Sequence, residues 1–96
     1  LLWDGPVDLF VNVFFELPKG KPQWYKRAAL MRQFKYHTRP DIDNVALKAI
    51  MDALQGVAFT EDSRVAGAVL NKWYGVEERT EIELLFWPMP RRELYE

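Results

Sequence analysis

The chain is 96 residues long, enough for one small domain, and its 14 Asp and Glu nearly balance 13 Lys and Arg, a formal net charge of −1 unlike that of a clearly basic nucleic-acid binder. With no cysteine and a single histidine, disulfide frameworks, thiolate zinc sites, cysteine nucleophiles and two-histidine mechanisms are excluded. No apolar run approaches the roughly 20 residues of a membrane helix and residues 1–15 lack the pattern of a signal peptide, so the expectation is a soluble, cytoplasmic domain with no membrane partner.

Leu1-Leu2-Trp3 opens without an initiator Met. The expectation is a single domain over 1–96 that lacks a preceding strand or loop. Pro6 to Glu16 alternates, with Val7, Leu9, Val11, Val13 and Phe15 on one face and Asp8, Asn12 and Glu16 on the other, which predicts a half-buried strand. Phe10 and Phe14 are apolar exceptions on the second face. Pro18 to Pro22 carries strong turn signals, and 23–34 reads as a helix with Trp24, Ala28, Met31 and Phe34 inward. Tyr36 to Pro40 is expected to be extended, because proline disfavours helix at the residue before it.

Asn44 to Gln55 is the clearest helix, with Leu47, Ile50, Met51 and Leu54 on one stripe and Gly56 placed to stop it. A short run, Val57-Ala58-Phe59, leads to the acidic turn Glu61-Asp62-Ser63. Arg64–Tyr74 and Arg79–Trp87 read as strands joined through Gly75, which predicts an antiparallel hairpin. The charged tail 91–96 reads as loosely ordered. The class is α+β: a small mixed or antiparallel sheet with two helices.

Counted by segment, the charge is not balanced. Residues 17–40 hold seven cations (Lys19, Lys21, Lys26, Arg27, Arg32, Lys35 and Arg39) and no acid, interleaved with Trp24, Tyr25, Phe34, Tyr36 and His37. Residues 41–63 hold five acids and one cation. A basic, aromatic block has two readings: a solvated helix with its rings in the core, or cations for phosphates and rings for unpaired bases. Asp41 and Asp43 lie two residues apart at the entry to the second helix, and the chain reversal after it can bring Glu61-Asp62 back beside that helix. Carboxylates so clustered suit Mg²⁺ and metal-assisted phosphodiester hydrolysis. The alternative is structural, with Asp43 an N-cap, Asp41 a dipole partner and Asp62-Ser63 a simple turn.

Arg39-Pro40-Asp41-Ile42-Asp43-Asn44, Asp52-Ala53-Leu54-Gln55-Gly56 and Glu61-Asp62-Ser63-Arg64-Val65 agree in order and spacing with one pattern. Together they resemble the RusA family of Holliday junction resolvases, most closely over residues 37–65. The resemblance implies a small α+β homodimer that uses Mg²⁺, or Mn²⁺, to cut four-way DNA junctions by paired symmetric nicks. It places the catalytic, metal-holding acids at Asp41, Asp43 and Asp62, with Glu61 a weaker candidate where Asp is usual. The family's helical lysine falls on Lys48, five residues after Asp43 rather than four, and Asp52 is displaced by one as well. The cations from Lys19 to Arg39 are the expected DNA contacts. A catalytically inactive junction-binding module of the same fold is the alternative that this displacement and Glu61 keep open, and an unrelated interaction domain is a third reading. His37 is expected at the surface or core edge, Trp73 and Trp87 in core or dimer contacts rather than as base-stacking platforms, and Gly67 at a bulge or close approach.

Overall fold

A computed structural model describes residues 2–39 and 44–96. In chain order the elements are β1 (Val7–Glu16), α1 (Gln23–Leu30), α2 (Asn44–Leu54), a 3-10 turn (Asp62–Arg64), β2 (Val65–Gly75), β3 (Arg79–Phe86) and a second 3-10 turn (Arg92–Leu94). The second turn lies in the tail expected to be loose, where Arg91 pairs with Glu93 and Arg92 with Glu96. The class is α+β, with a three-stranded mixed sheet. Among the described residues no helix is long and apolar enough to cross a membrane.

The strand order is β2-β1-β3, so β2 and β3 are not the hairpin that their adjacency in sequence predicts. The Leu17 amide donates to the Gly75 carbonyl at 3.1 Å, joining the ends of β1 and β2, which therefore run parallel. The Trp87 amide donates to the Pro6 carbonyl at 2.9 Å, setting the end of β3 against the start of β1, antiparallel. The reason lies in β1. Val7, Leu9 and Val11 have no exposed surface, and Phe14 is also buried; the centre of a sheet, with a neighbour on each edge, screens such a strand from water better than an edge does. By contrast, β3 carries Arg79, Glu81 and Glu83 at alternate positions and tolerates an edge. The turn at 76–78 crosses the end of β1 closely enough that a Cβ on Gly75 would stand 3.2 Å from that of Phe14.

By contacts the chain divides into two compact units. One comprises Leu1–Leu9, Asp43–Ala68 and Leu84–Glu96, the other Phe10–Ile42 and Val69–Glu83. In the first, α2 half-buries Leu47, Ile50, Met51 and Leu54 and exposes Lys48, Ala49, Asp52 and Ala53, as the stripe requires. Gly56, with φ +78°, ends the helix in a conformation that favours glycine. Trp3 then clips the returning chain: its amide donates to Ala58 and its carbonyl accepts from the Thr60 amide, flanking the fully buried Phe59. Gly67 marks a close approach, since a Cβ there would lie 2.6 Å from Asp8 Oδ1, while Asp8 Oδ2 accepts the Trp87 indole N–H at 2.9 Å.

In the second unit α1 is shorter than its sequence predicts and turns a different face inward. The helix ends at Leu30 because Arg32 adopts φ +60°, with its amide donating to Ala29 and that of Gln33 to Ala28, a Schellman closure. An arginine in this left-handed position is strained, and its guanidinium is held 5.4 Å from the Phe14 ring centroid and 5.2 Å from that of Trp73. Ala29 is the buried residue, whereas Trp24 and Met31, expected inside, are 69% and 70% exposed. Along β1 the alternation also shifts after Val11: Phe14 is buried and Val13 and Phe15 are half-buried, and the Arg79 guanidinium covers the Phe14 ring at 3.9 Å from its centroid.

Candidate functional site

The acidic turn folds back beside α2, as the chain reversal predicts. Asp62 lies at the first position of the 3-10 turn, and its Oδ2 accepts a hydrogen bond from the Lys48 ammonium in the second turn of α2. Lys48 also donates to Asp52 Oδ1 at 2.9 Å, one helical turn further on. Helix α2 runs as unbroken α-helix from Asn44 to Leu54, so the extra residue before Lys48 is not absorbed by a bulge within it. Lys48 and Asp52 are displaced together, keep their i, i+4 relation, and reach Asp62 as a pair.

Electrostatics follow from these contacts. Hydrogen bonds to Asp62 and then Asp52 hold the Lys48 ammonium well above the usual lysine range. The bond from Lys48 draws the Asp52 carboxyl below the usual carboxylate range. Asp62 Oδ1 is buried and accepts no hydrogen bond from any described residue. An orphaned carboxylate oxygen beside a cation-bound one fits a hard divalent ion, which prefers oxygen ligands. Asp41 and Asp43 lie outside the described residues, and among those described no three acids or histidines come together to hold a metal ion.

Around this pair, Glu61 is committed elsewhere: its carboxylate meets Arg64 Nη2 at 3.4 Å. Arg64 Nε donates to Asp4 Oδ1 at 2.9 Å, and the Thr60 hydroxyl donates to the same oxygen at 2.8 Å. These bonds, Thr60 first, hold the Asp4 carboxyl low and tie the chain before β1 to the turn that carries Asp62. Asp52, Asp4 and Arg64 were not singled out by the sequence as site residues. For Asp52 the signal was present in its i, i+4 spacing from Lys48; for Asp4, 60 residues from Arg64, there was none.

The seven expected DNA contacts lie in the other unit and divide into two groups. Lys35 donates to Asn71 Oδ1 at 2.7 Å and lies 5.2 Å from the Trp73 ring centroid, Arg32 holds the Phe14 and Trp73 rings, and Lys21 sits 5.1 Å over Tyr25. Lys19, Lys26, Arg27 and Arg39 bond or pair through their side chains with no other described residue. The segment leading to Arg39 is pinned to β2: the Tyr36 amide donates to Lys72, and the Lys72 ammonium donates to the Thr38 carbonyl at 2.7 Å. The rings of the basic block form a cluster on Tyr74, whose hydroxyl is pushed up to about 12 by burial and by its 3.2 Å bond with Tyr25. His37 is at the surface, edge-on to Phe34 and Tyr74. Trp73 is half-buried and donates to Asn12 Oδ1 at 2.8 Å, and Trp87 is 49% exposed, so neither lies in the core.

The chain is 31% identical over 80 residues to an uncharacterised protein of Bacillus subtilis (strain 168), YqaN, a match covering 81% of this chain and 56% of that protein. The chain thus spans little more than half the length of that relative. No solved structure matches this chain. Residues 1–85 match the family model described as endodeoxyribonuclease RusA, a span that includes β1, α2, the Lys48–Asp62 pair and nearly all of β3, and the chain belongs to the RusA endodeoxyribonuclease family.

Proposed function

We propose that the protein is a Mg²⁺- or Mn²⁺-dependent endodeoxyribonuclease that resolves four-way DNA junctions by paired symmetric nicks, in DNA recombination and repair. In this reading residues 1–96 form one nuclease domain, and it works as a homodimer, whose two-fold symmetry would offer two equivalent sites to two equivalent strands. The observation that carries the reading is the Lys48–Asp62 contact, with the second oxygen of Asp62 buried and unpartnered among the described residues. Family membership supports the nuclease class; the metal, the dimer and the junction are this proposal's own.

Asp62 would hold the ion together with Asp41 and Asp43. Bound there, a divalent ion supplies Lewis acidity toward the scissile phosphate and lowers the pKa of an attacking water. Lys48 is cationic throughout the working pH range, because its partners favour the protonated form. With Asp62 engaged as a ligand, Lys48 would remain tethered to Asp52 and turn a free N–H toward a phosphate oxygen, where charge grows in the transition state. The cations between Lys19 and Arg39 would neutralise phosphates away from the reacting centre.

A synthetic four-way junction with labelled arms tests this against a linear duplex of the same sequence. Wild type is expected to give symmetric paired nicks with Mg²⁺ or Mn²⁺, and none in EDTA. Asp62→Asn and Asp43→Asn are expected to bind the junction and leave it intact. Tight junction binding by the wild type without cutting at any concentration of either ion contradicts the enzyme and leaves a junction-binding module.

A further inference from the structure

A cavity of about 390 Å³ beside Tyr25 takes no part in the proposed hydrolysis. Tyr25, Tyr36, Tyr74 and His37 wall it, with Glu16 and Lys21 also on its lining. The rings are held in place by one another. Tyr25 and Tyr74 share a hydroxyl hydrogen bond at 3.2 Å, Tyr36 stacks on Phe15 with centroids 4.1 Å apart, and Tyr74 stands edge-on to Tyr36 at 5.0 Å. Walls already fixed lose little conformational freedom when a ligand arrives, so binding is not taxed by their ordering. Two charged groups complete the lining. The Lys21 ammonium stands over the Tyr25 ring, 5.1 Å from its centroid, and the exposed Glu16 carboxylate has no side-chain partner among the described residues.

Flat aromatic walls, a free hydrogen-bond acceptor and a cation on a long, flexible stem suit a ligand that is a planar π-system, carries N–H donors and bears an anionic tail. A nucleobase on its phosphodiester has all three. The segment that supplies most of the lining favours that occupant over a peptide or a neutral metabolite. Six of the eight lining residues come from residues 17–40, the stretch with seven cations and no acid. Duplex DNA offers no free base face, whereas the open centre of a branched molecule does, at a modest unstacking cost.

We propose that this cavity receives one unpaired nucleobase of bound DNA, its ring against Tyr25, an exocyclic amino group donating to Glu16, and its phosphate on Lys21. The inference rests on the nuclease reading only in taking DNA as the ligand. It makes the cavity a site that distinguishes branched DNA from duplex by the unpaired base, separately from the carboxylates that cut.

The test places 2-aminopurine, a fluorescent base with an exocyclic amino group, at each branch-point position of a four-way junction and measures binding in EDTA. Stacking in the cavity is expected to quench the probe at one branch position on adding wild type. Tyr25→Leu is expected to abolish that quenching and raise the junction Kd about tenfold or more, with the duplex Kd unchanged. Glu16→Gln, at an exposed position that threatens no folding, is expected to weaken junction binding in the same direction, and circular dichroism checks the fold of each variant. Two results overturn the proposal: no quenching at any branch position, or Tyr25→Leu and Glu16→Gln leaving the junction-to-duplex ratio of Kd values unaltered. The same junctions, incubated with Mg²⁺, separate the two readings. Junctions bound and cut with the probe silent overturn the cavity alone, whereas no DNA binding at all overturns both.

Discussion

Lys48 shows how counting along a helix and contact in space can point different ways. A single added residue rotates the later part of a helix by about 100°, enough to move a lysine from a site to solvent. Here the whole Lys48–Asp52 pair moves together, and Asp62 meets it from the turn beyond α2. The lysine thus has one partner that belongs to the proposed metal site and one that does not. In the proposed mechanism its role would be electrostatic in the transition state rather than in DNA affinity. Lys48→Met is therefore expected to lower single-turnover cleavage by about a hundredfold or more with the junction Kd little changed. Asp52→Asn removes the tether but not the charge, and a smaller loss is expected. A Lys48→Met variant that cuts at the wild-type rate would remove Lys48 from the mechanism.

At the scale of elements, what periodicity could say was said correctly for α2 and for the first half of β1. The stripe Leu47, Ile50, Met51, Leu54 and the buried Val7, Leu9, Val11 need only local pattern. Strand order was not legible, because Gly75 and the short connection after it suit a hairpin as well as a crossing over the end of β1. Only the burial demand of β1 decides between them, and that is a property of the whole sheet. The inward face of α1 departs from its sequence pattern for a related reason: the stripe continues through Phe34, but the chain leaves the helix before Arg32. The candidate site was legible as an acidic turn returning to α2, while the Asp4–Arg64 bond across 60 residues left no local mark. The parallel pairing of β2 with β1 carries its own test at Gly67. An added methyl at this position would stand 2.6 Å from Asp8 Oδ1, and Asp8 is held by the Trp87 indole, so it does not yield freely. Gly67→Ala is expected to cost about 1–3 kcal/mol in urea unfolding, and Asp8→Ala to recover part of that loss in a double-mutant cycle. A hairpin of β2 with β3 leaves Gly67 and Asp8 uncoupled, and additive effects would support it.

For the molecule as a whole, the near-zero net charge is an average over two unlike units. The unit with the Lys48–Asp62 pair carries eight acids and four cations; the unit with the aromatic cavity carries nine cations and six acids. A nuclease has use for both, carboxylates for an ion and cations for phosphates, and a balanced total hides each behind the other. The cations are not equivalent, however. Arg32 and Lys35 are engaged on Phe14, Trp73 and Asn71, so they maintain the fold that presents the rest. Arg27 lies on the exposed face of α1 and bonds to no described side chain, which leaves it available to a phosphate. Each phosphate contact releases condensed counterion, so affinity falls with salt in proportion to the number of contacts. Arg27→Gln is therefore expected to reduce the slope of log K against log salt by about 1 and to weaken junction and duplex binding alike. Arg32→Gln is expected to act through stability, lowering the unfolding midpoint. Fluorescence anisotropy across a salt series measures the slope and urea unfolding the midpoint, and an unchanged slope in Arg27→Gln would take this face of α1 out of the DNA contact.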